Sequence, residues 1–250
     1  MRTAFHHIAY QPLDICNALS WSSLEAALRQ AGLQAGRRLL DIGCGYGQAS
    51  IRVAQSFDAV AVTAVEMDPV MAEGARSRIA QAGLEPRISL RREPSVRTLE
   101  ASAPFDVILA LGTTQPAGPG LREPRDLFAA LGQHLVPGGA LVWGDLTWTA
   151  EPSEPLRMLV ESGGYYVDHQ AWQAAARAAG LEVLSARLSD ATEWGPYRQG
   201  MDQAVNGWLD DHPDHPDAAA VASSAQRVRM MFDFGADCLG FGLYVFRRPD

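Results

Sequence analysis

Residues 39–50 read LLDIGCGYGQAS. A short apolar run ends in an acid, Asp41, and Gly43, Gly45 and Gly47 follow at alternate positions. The run reads as a strand, and the bare turn behind it lets a ligand come close to the backbone because no Cβ holds it off. Two common ligands do not fit. A dinucleotide fingerprint spaces its glycines G-x-G-x-x-G, and Gln48 stands where the third would be. A phosphate-binding P-loop closes on GK[ST], which does not follow here.

Outward from this turn, short apolar runs alternate with helical patterns: RRLLDI, VAVTAVE, RISLRR, FDVILAL and ALVWGDL. Nearly continuous apolar character predicts strands covered on both faces, hence an α/β fold with a doubly wound, mostly parallel sheet. In LVPGGA (135–140) a helix is expected to end at Leu135 and turn through Pro137, Gly138 and Gly139 into strand five. A helix over 168–180 precedes LEVLSARL and, much later, DCLGFGLYVFRR, which read as strands six and seven. Helical patterns at 197–210 and 218–232 flank the loop HPDHPD, and an irregular segment at 147–166 follows strand five. Such segments lie on the rim where open α/β sheets bind ligands, so they are expected lids.

The chain has 250 residues, 47% hydrophobic and 20% charged, ordinary for one domain with its own core. A formal charge of −8 disfavours nucleic acid and anionic membranes as partners. No apolar run approaches the roughly 18–20 residues that span a bilayer, and the first residues lack a secretory pattern, so a cytoplasmic setting is expected. Cys16, Cys44 and Cys238 are too scattered for a CxxC pair, which predicts reduced thiols. The histidines of HPDHPD stand among prolines that break any helical face, so the loop predicts no metal site.

LLDIGCGYG resembles motif I of the class I S-adenosylmethionine-dependent methyltransferases, an apolar run, then D or E, then x-G-x-G-x-G. The resemblance covers residues 36–146 in motifs and the whole chain in architecture. It implies a seven-stranded Rossmann-like sheet of order 3-2-1-4-5-7-6, last strand antiparallel, with helical lid insertions. It also implies S-adenosylmethionine as cofactor, S-adenosylhomocysteine as product, and a small-molecule acceptor. Asp41 and the three glycines would border the methionine part. Glu66, ending strand two, would hold the ribose hydroxyls beside Met67, while Asp68 stands where the family usually has Ser before proline. Glu93, with Pro94 and Ser95, falls at the adenine position; Leu111 and Gly112, ending strand four, reach the reacting edge. The N/D-P-P-Y and Pro-Cys signatures of nucleic-acid methylases are absent, and GTTQ stands where metal-dependent catechol methylases carry an acid, so no metal is expected.

One domain over 1–250 is expected, with an N-terminal helical lid at 1–35, a cofactor-binding core at 36–146 and a helical insert at 190–235. The segment before strand one resembles the lid of a small-molecule subset, with Tyr10 and an N-A-L-S turn at Asn17–Ser20. On that resemblance Tyr10 faces the cofactor, and Trp148, Trp194, Tyr165 and Tyr197 are candidate acceptor walls. His169 and His7 are candidate bases because histidine titrates near neutrality, with Asp145 and Tyr166 beside them. A cofactor-binding regulator or inactive subunit is the alternative; a nicotinamide oxidoreductase is disfavoured by Gln48.

Overall fold

The computed structural model describes residues 3–161 and 164–250. The expected lids at 1–35 and 147–167 therefore extend at residues 1–2 and 162–163 outside the described residues. In chain order the elements are α1 (Phe5–Ala9), α2 (Trp21–Gln30), β1 (Arg38–Ile42), α3 (Gln48–Ser56), β2 (Ala61–Val65) and α4 (Pro69–Gln81). Then come β3 (Ile88–Arg91), α5 (Ser95–Ala101), β4 (Phe105–Leu111), α6 (Pro124–Gly132), β5 (Leu135–Trp148) and α7 (Glu154–Glu161). The chain closes with α8 (His169–Ala178), β6 (Glu182–Leu188), α9 (Ala191–Asp211), α10 (Ala218–Phe234) and β7 (Leu239–Arg247).

The sheet order is β3-β2-β1-β4-β5-β7-β6, with β7 antiparallel to both of its neighbours, as the motif resemblance implies. Strand side chains alternate between two buried layers. Leu39 and Val142 face α2 and α3, while Leu40, Ile108 and Trp143 face Phe128 of α6 and Trp172 of α8. Within the N-terminal 35 residues, α2 lies against this sheet through Leu24, Ala27 and Leu28. A third apolar cluster joins α1, α7, α9 and α10 beyond the strand ends, around Ile8, Val160, Met201, Val205, Val221 and Phe232.

Two features of β5 place the chemistry. The helix expected to end at Leu135 ends at Gly132 instead; Leu135 already pairs with Phe105, and the Pro-Gly-Gly segment is a register shift inside the strand. Proline and paired glycine here make a bulge, which spares the ladder the missing N–H. At its other end β4 stops opposite Gly144, whereas β5 runs on to Trp148 on the support of β7. Asp145 to Trp148 thus project past their parallel neighbour toward the third cluster.

Glu193 fastens the insert to the core. Its carboxylate accepts from Ser20 N–H at 2.9 Å and from Arg187 Nη2 at 2.6 Å, and it closes the N-terminal turn of α9. Burial pushes this acid upward, but Arg187 and the Ser20 N–H outweigh that and hold it at about 2. The folded value lies below the ordinary 4.5. Its stabilisation is therefore full above that ordinary value and is lost as pH falls toward about 2. An acid melt is expected to flatten over this window in Glu193→Gln; an unchanged acid limb would remove Glu193 from the account.

Candidate active site

At the carboxyl ends of β1, β2 and β4 lies a cavity of about 630 Å³. Gly43 adopts φ +69°, and a Cβ there would sit 2.6 Å from Thr113 Oγ1, which itself donates to Ile42 O at 2.8 Å. Only glycine satisfies both constraints. Its N–H and that of Cys44 donate to Val65 O, which closes the turn onto β2. Gly45 N–H donates to Glu66 Oε2 at 3.0 Å and Asp68 N–H to Oε1 at 2.8 Å, so the Glu66 carboxylate is gripped from both sides. Asp41 accepts from Ser50 Oγ at 2.6 Å; burial raises its carboxyl to about 6 against that hydrogen bond, with the Glu66 charge adding to the rise.

The motif positions converge on this cavity. Asp41, Gly43, Gly45 and Glu66 form one wall, with Met67 exposed at its rim. Glu93, Pro94 and Ser95 line another part, Glu93 being held by Thr98 Oγ1 at 2.6 Å. Leu111, Gly112 and Tyr10 line the side nearest the extra helices. Gly47 is the exception: it caps α3 and packs against Ala75 of α4, away from the cavity lining.

His7 also stands elsewhere than expected. Its Nδ1 accepts from Ala4 N–H at 3.2 Å, which leaves the proton on Nε2, pointing at Asp68 Oδ2 2.9 Å away. His7 therefore pins α1 to α4 and does not reach the reacting edge; its neighbour His6 lines the cavity instead. His6 Nε2 lies 3.4 Å from the same Asp68 oxygen. These three residues have the spacing of a metal triad, but the tautomer set by Ala4 makes His7 a hydrogen-bond donor to Asp68 and denies a metal its lone pair. Asp68 also caps α4, accepting from Val70 and Met71 N–H. Burial would raise its carboxyl, but the His7, Met71 and His6 hydrogen bonds hold it at about 2. Asp68→Ala is expected to cost about 1 kcal/mol through the lost cap, read as a lower melting temperature; an unchanged melt would show the cap to be replaced by water.

Two further chambers open beside this cavity at Gly112. One of about 330 Å³ shares Tyr10, Asn17 and Gly112 with the cofactor-side cavity, and one of about 220 Å³ adjoins it at Gly112, Asp145 and Tyr166. Asp145 borders both. Burial lifts its carboxyl to about 7, opposed only by a hydrogen bond from Leu146 N–H at 2.8 Å. Burial also raises the Tyr166 phenol, with the charge of Asp145 and then Tyr10 adding to it. Tyr197 lines the larger chamber with Tyr10, while Tyr165 is exposed and lines the smaller one.

Besides His7, three expected residues fall outside these chambers. The ring of His169 opens α8 with Nδ1 3.0 Å from Tyr244 Oη, on the α8 face of the sheet. Trp148 is buried against Leu156 and Val160 with Arg157 over its ring, and Trp194 stacks edge-on against Tyr197 and Phe232. Both tryptophans carry the walls from behind. Sequence reasoning also missed lining residues: Asn17, whose Nδ2 donates to Leu111 O at 3.4 Å, and Met201, Phe241 and Arg227 of the larger chamber. Asn17 lay in the N-A-L-S turn and had a signal; Arg227 had none.

Residues 39–139 match the family model described as "Methyltransferase domain". The 27-O-demethylrifamycin SV methyltransferase of Amycolatopsis mediterranei is 30% identical over 228 residues, 87% of this chain and 79% of that protein. This chain belongs to the class I S-adenosylmethionine-dependent methyltransferases. The trans-aconitate 2-methyltransferase of Methylobacterium radiotolerans is 28% identical over 198 residues, 78% of this chain and 68% of that protein. In fold, the methyltransferase resembles the S-adenosylhomocysteine complex of a SAM-dependent methyltransferase from Thiobacillus denitrificans. The TM-score is 0.83 at 21% identity, over 98% of this chain and 99% of that one.

The activity is methyl transfer from S-adenosylmethionine. The site fits this cofactor on two structural grounds. At Gly112, with φ +58°, a Cβ would lie 2.5 Å from Asn17 Oδ1, so the reacting edge is closed to any side chain there. Gln48 lines the cavity, donates to Leu13 O at 2.8 Å, and keeps a buried Oε1 with no partner among the described residues. That acceptor, next to Asp41, suits an ammonium group. No described helix is long and apolar enough to cross a membrane.

Proposed function

We propose that this methyltransferase acts on a hydroxyl of a small, largely apolar acceptor, with Asp145 taking the proton. One observation carries the reading: the half-buried carboxyl of Asp145, pushed up to about 7 by desolvation, lies where the two chambers meet, beside the Gly112 edge of the cofactor cavity. A base of about that value suits proton removal from a hydroxyl at neutral pH. The relative that acts on 27-O-demethylrifamycin SV supports oxygen as the acceptor atom.

In this reading Glu66 holds the ribose hydroxyls, with its carboxylate already set by Gly45 and Asp68 N–H. Asp41 and Gln48 receive the ammonium end, and Glu93 with Pro94 and Ser95 borders the adenine. The cofactor, when bound, supplies an electrophilic methyl whose leaving group is a neutral thioether. The protein's part is alignment and exclusion of water. Tyr10, Asn17 and Gly112 separate cofactor from acceptor, and Tyr166 and Tyr197 fix the acceptor's polar edge. Residues 3–20, α7, α9 and α10 form the lid over a core at 36–146. Unpaired thiols at Cys16, Cys44 and Cys238 support a cytoplasmic setting.

Calorimetric titration with S-adenosylmethionine, S-adenosylhomocysteine and NAD in parallel tests the cofactor assignment. Micromolar binding of the first two without NAD is expected; NAD binding alone would overturn it. A labelled-methyl screen of matched phenols, amines and thiols then tests the acceptor atom, with transfer confined to amines or thiols as the adverse result.

A further inference from the structure

The larger chamber is walled by apolar side chains: Val160, Met201, Val228, Met231, Phe232 and Phe241. Arg227 of α10 interrupts that lining. Its neighbours on the two insert helices are neutralised, Arg198 by Asp233 and Arg229 by Asp202. Arg227 has only Ser224 Oγ, 3.2 Å from Nη2, and no acid among the described residues. In a chain of net charge −8 this leaves an exposed, uncompensated cation on an apolar chamber. Asp145 borders the same chamber, so among the described residues the lining carries one acid and one arginine, neither in an ion pair.

We propose that the acceptor is an amphipathic hydroxy acid whose anionic group is received by Arg227, whose apolar body fills the larger chamber and whose hydroxyl meets Asp145. The proposal rests on the methyltransferase reading of the site and adds the chemical class of its substrate. A guanidinium offers a carboxylate two parallel N–H donors. Charge also sets the direction of entry: the ionised form of Asp145 repels an anion, so the anionic end turns to Arg227 and the neutral hydroxyl to the reacting edge. The chamber's volume, about 330 Å³, lies at the small end of ligand pockets, which run from about 300 to 1,000 Å³. A compact acceptor, rather than a macromolecular surface, fits it.

The test uses two fluorescent naphthalene probes on the full protein with saturating S-adenosylhomocysteine. One, 8-anilinonaphthalene-1-sulfonate, is anionic; the other, N-phenyl-1-naphthylamine, has the same apolar body without the charge. Arg227→Met is expected to weaken the anionic probe about fivefold, the scale of one exposed ion pair, and to leave the neutral probe unchanged. Arg227→Lys should restore part of the preference. Met231→Trp, which fills the chamber, should expel both probes. Equal affinity of the anionic probe for wild type and Arg227→Met, or equal loss of both probes, overturns the proposal. So does a probe that survives Met231→Trp, because it then sits elsewhere. S-Adenosylhomocysteine affinity, titrated separately on each protein, reports the methyltransferase reading independently: its absence in wild type defeats that reading, whereas its presence with no charge preference defeats only the substrate class.

Discussion

Asp145→Asn is expected to lower turnover by about 10²–10⁴-fold, the usual contribution of a positioned general base. Asparagine keeps the shape and an oxygen to accept from Leu146 N–H, so the strand should persist and cofactor affinity should stay at the wild-type value. The pH dependence is the sharper signature. In the wild type, turnover should rise with pH through about 7 and then level, as the carboxyl loses its proton; the variant's residual rate should be flat there. Stability should run the other way. The folded value is raised from 3.8 to about 7, so between those limits the native state holds a proton that the unfolded chain has released. Folding is then progressively disfavoured as pH climbs through that window, and Asp145→Asn should remove this residue's share of the slope, leaving that of Asp41, whose carboxyl is raised to about 6. A variant that keeps its rate within a few-fold and retains the wild-type pH profile would take proton transfer away from Asp145.

Glu66→Ala is expected to weaken S-adenosylmethionine binding by about 1.5–3 kcal/mol, or roughly 10- to 150-fold, as the loss of charged hydrogen bonds predicts. Two effects combine. The carboxylate offered to the ligand disappears, and Gly45 and Asp68 N–H lose the acceptor that shapes the turn. Glu66→Gln separates them, since its one carbonyl oxygen can keep a backbone N–H but not both. Calorimetry on the two variants should therefore rank alanine below glutamine and glutamine below wild type. Affinity unchanged within error in Glu66→Ala would move the ribose acid to another residue.

Local signals in the chain carried the sheet and the cofactor side well. Strands β1, β2, β4 and β5 contribute to both core clusters, so their apolar runs are nearly continuous, and the turn at Gly43 needs a backbone geometry that few residues supply. Asp68 borders the same cavity as Glu66, but it precedes Pro69 and caps α4, a role written in adjacent residues. The acceptor side was less legible for a physical reason: its walls meet only through tertiary packing. Trp148 and Trp194 have the composition of a binding wall, yet the lattice of α7, α9 and α10 turns both rings into support. Histidine chemistry pointed to His7 and His169, but each is occupied by a partner distant in sequence, Asp68 and Tyr244. Asp145 drew its unusual titration from burial alone, which no short stretch encodes. The end of α6 failed for the opposite reason, because Pro-Gly-Gly serves equally as a turn and as a bulge in β5.

The chain leaves the sheet after β6 and returns to it at β7, and the whole of α9 and α10 lies in that single excursion. Glu193 clamps its departure and the antiparallel ladder from Trp148↔Leu239 onward clamps its return. The insert's share of the larger chamber, from Tyr197 and Met201 to Arg227, Val228, Met231 and Phe232, thus forms one contiguous cassette joined to the sheet at two fixed points. Exchanging that cassette between relatives is expected to change acceptor preference at constant cofactor affinity, because Asp145 and the cofactor cavity stay on the sheet.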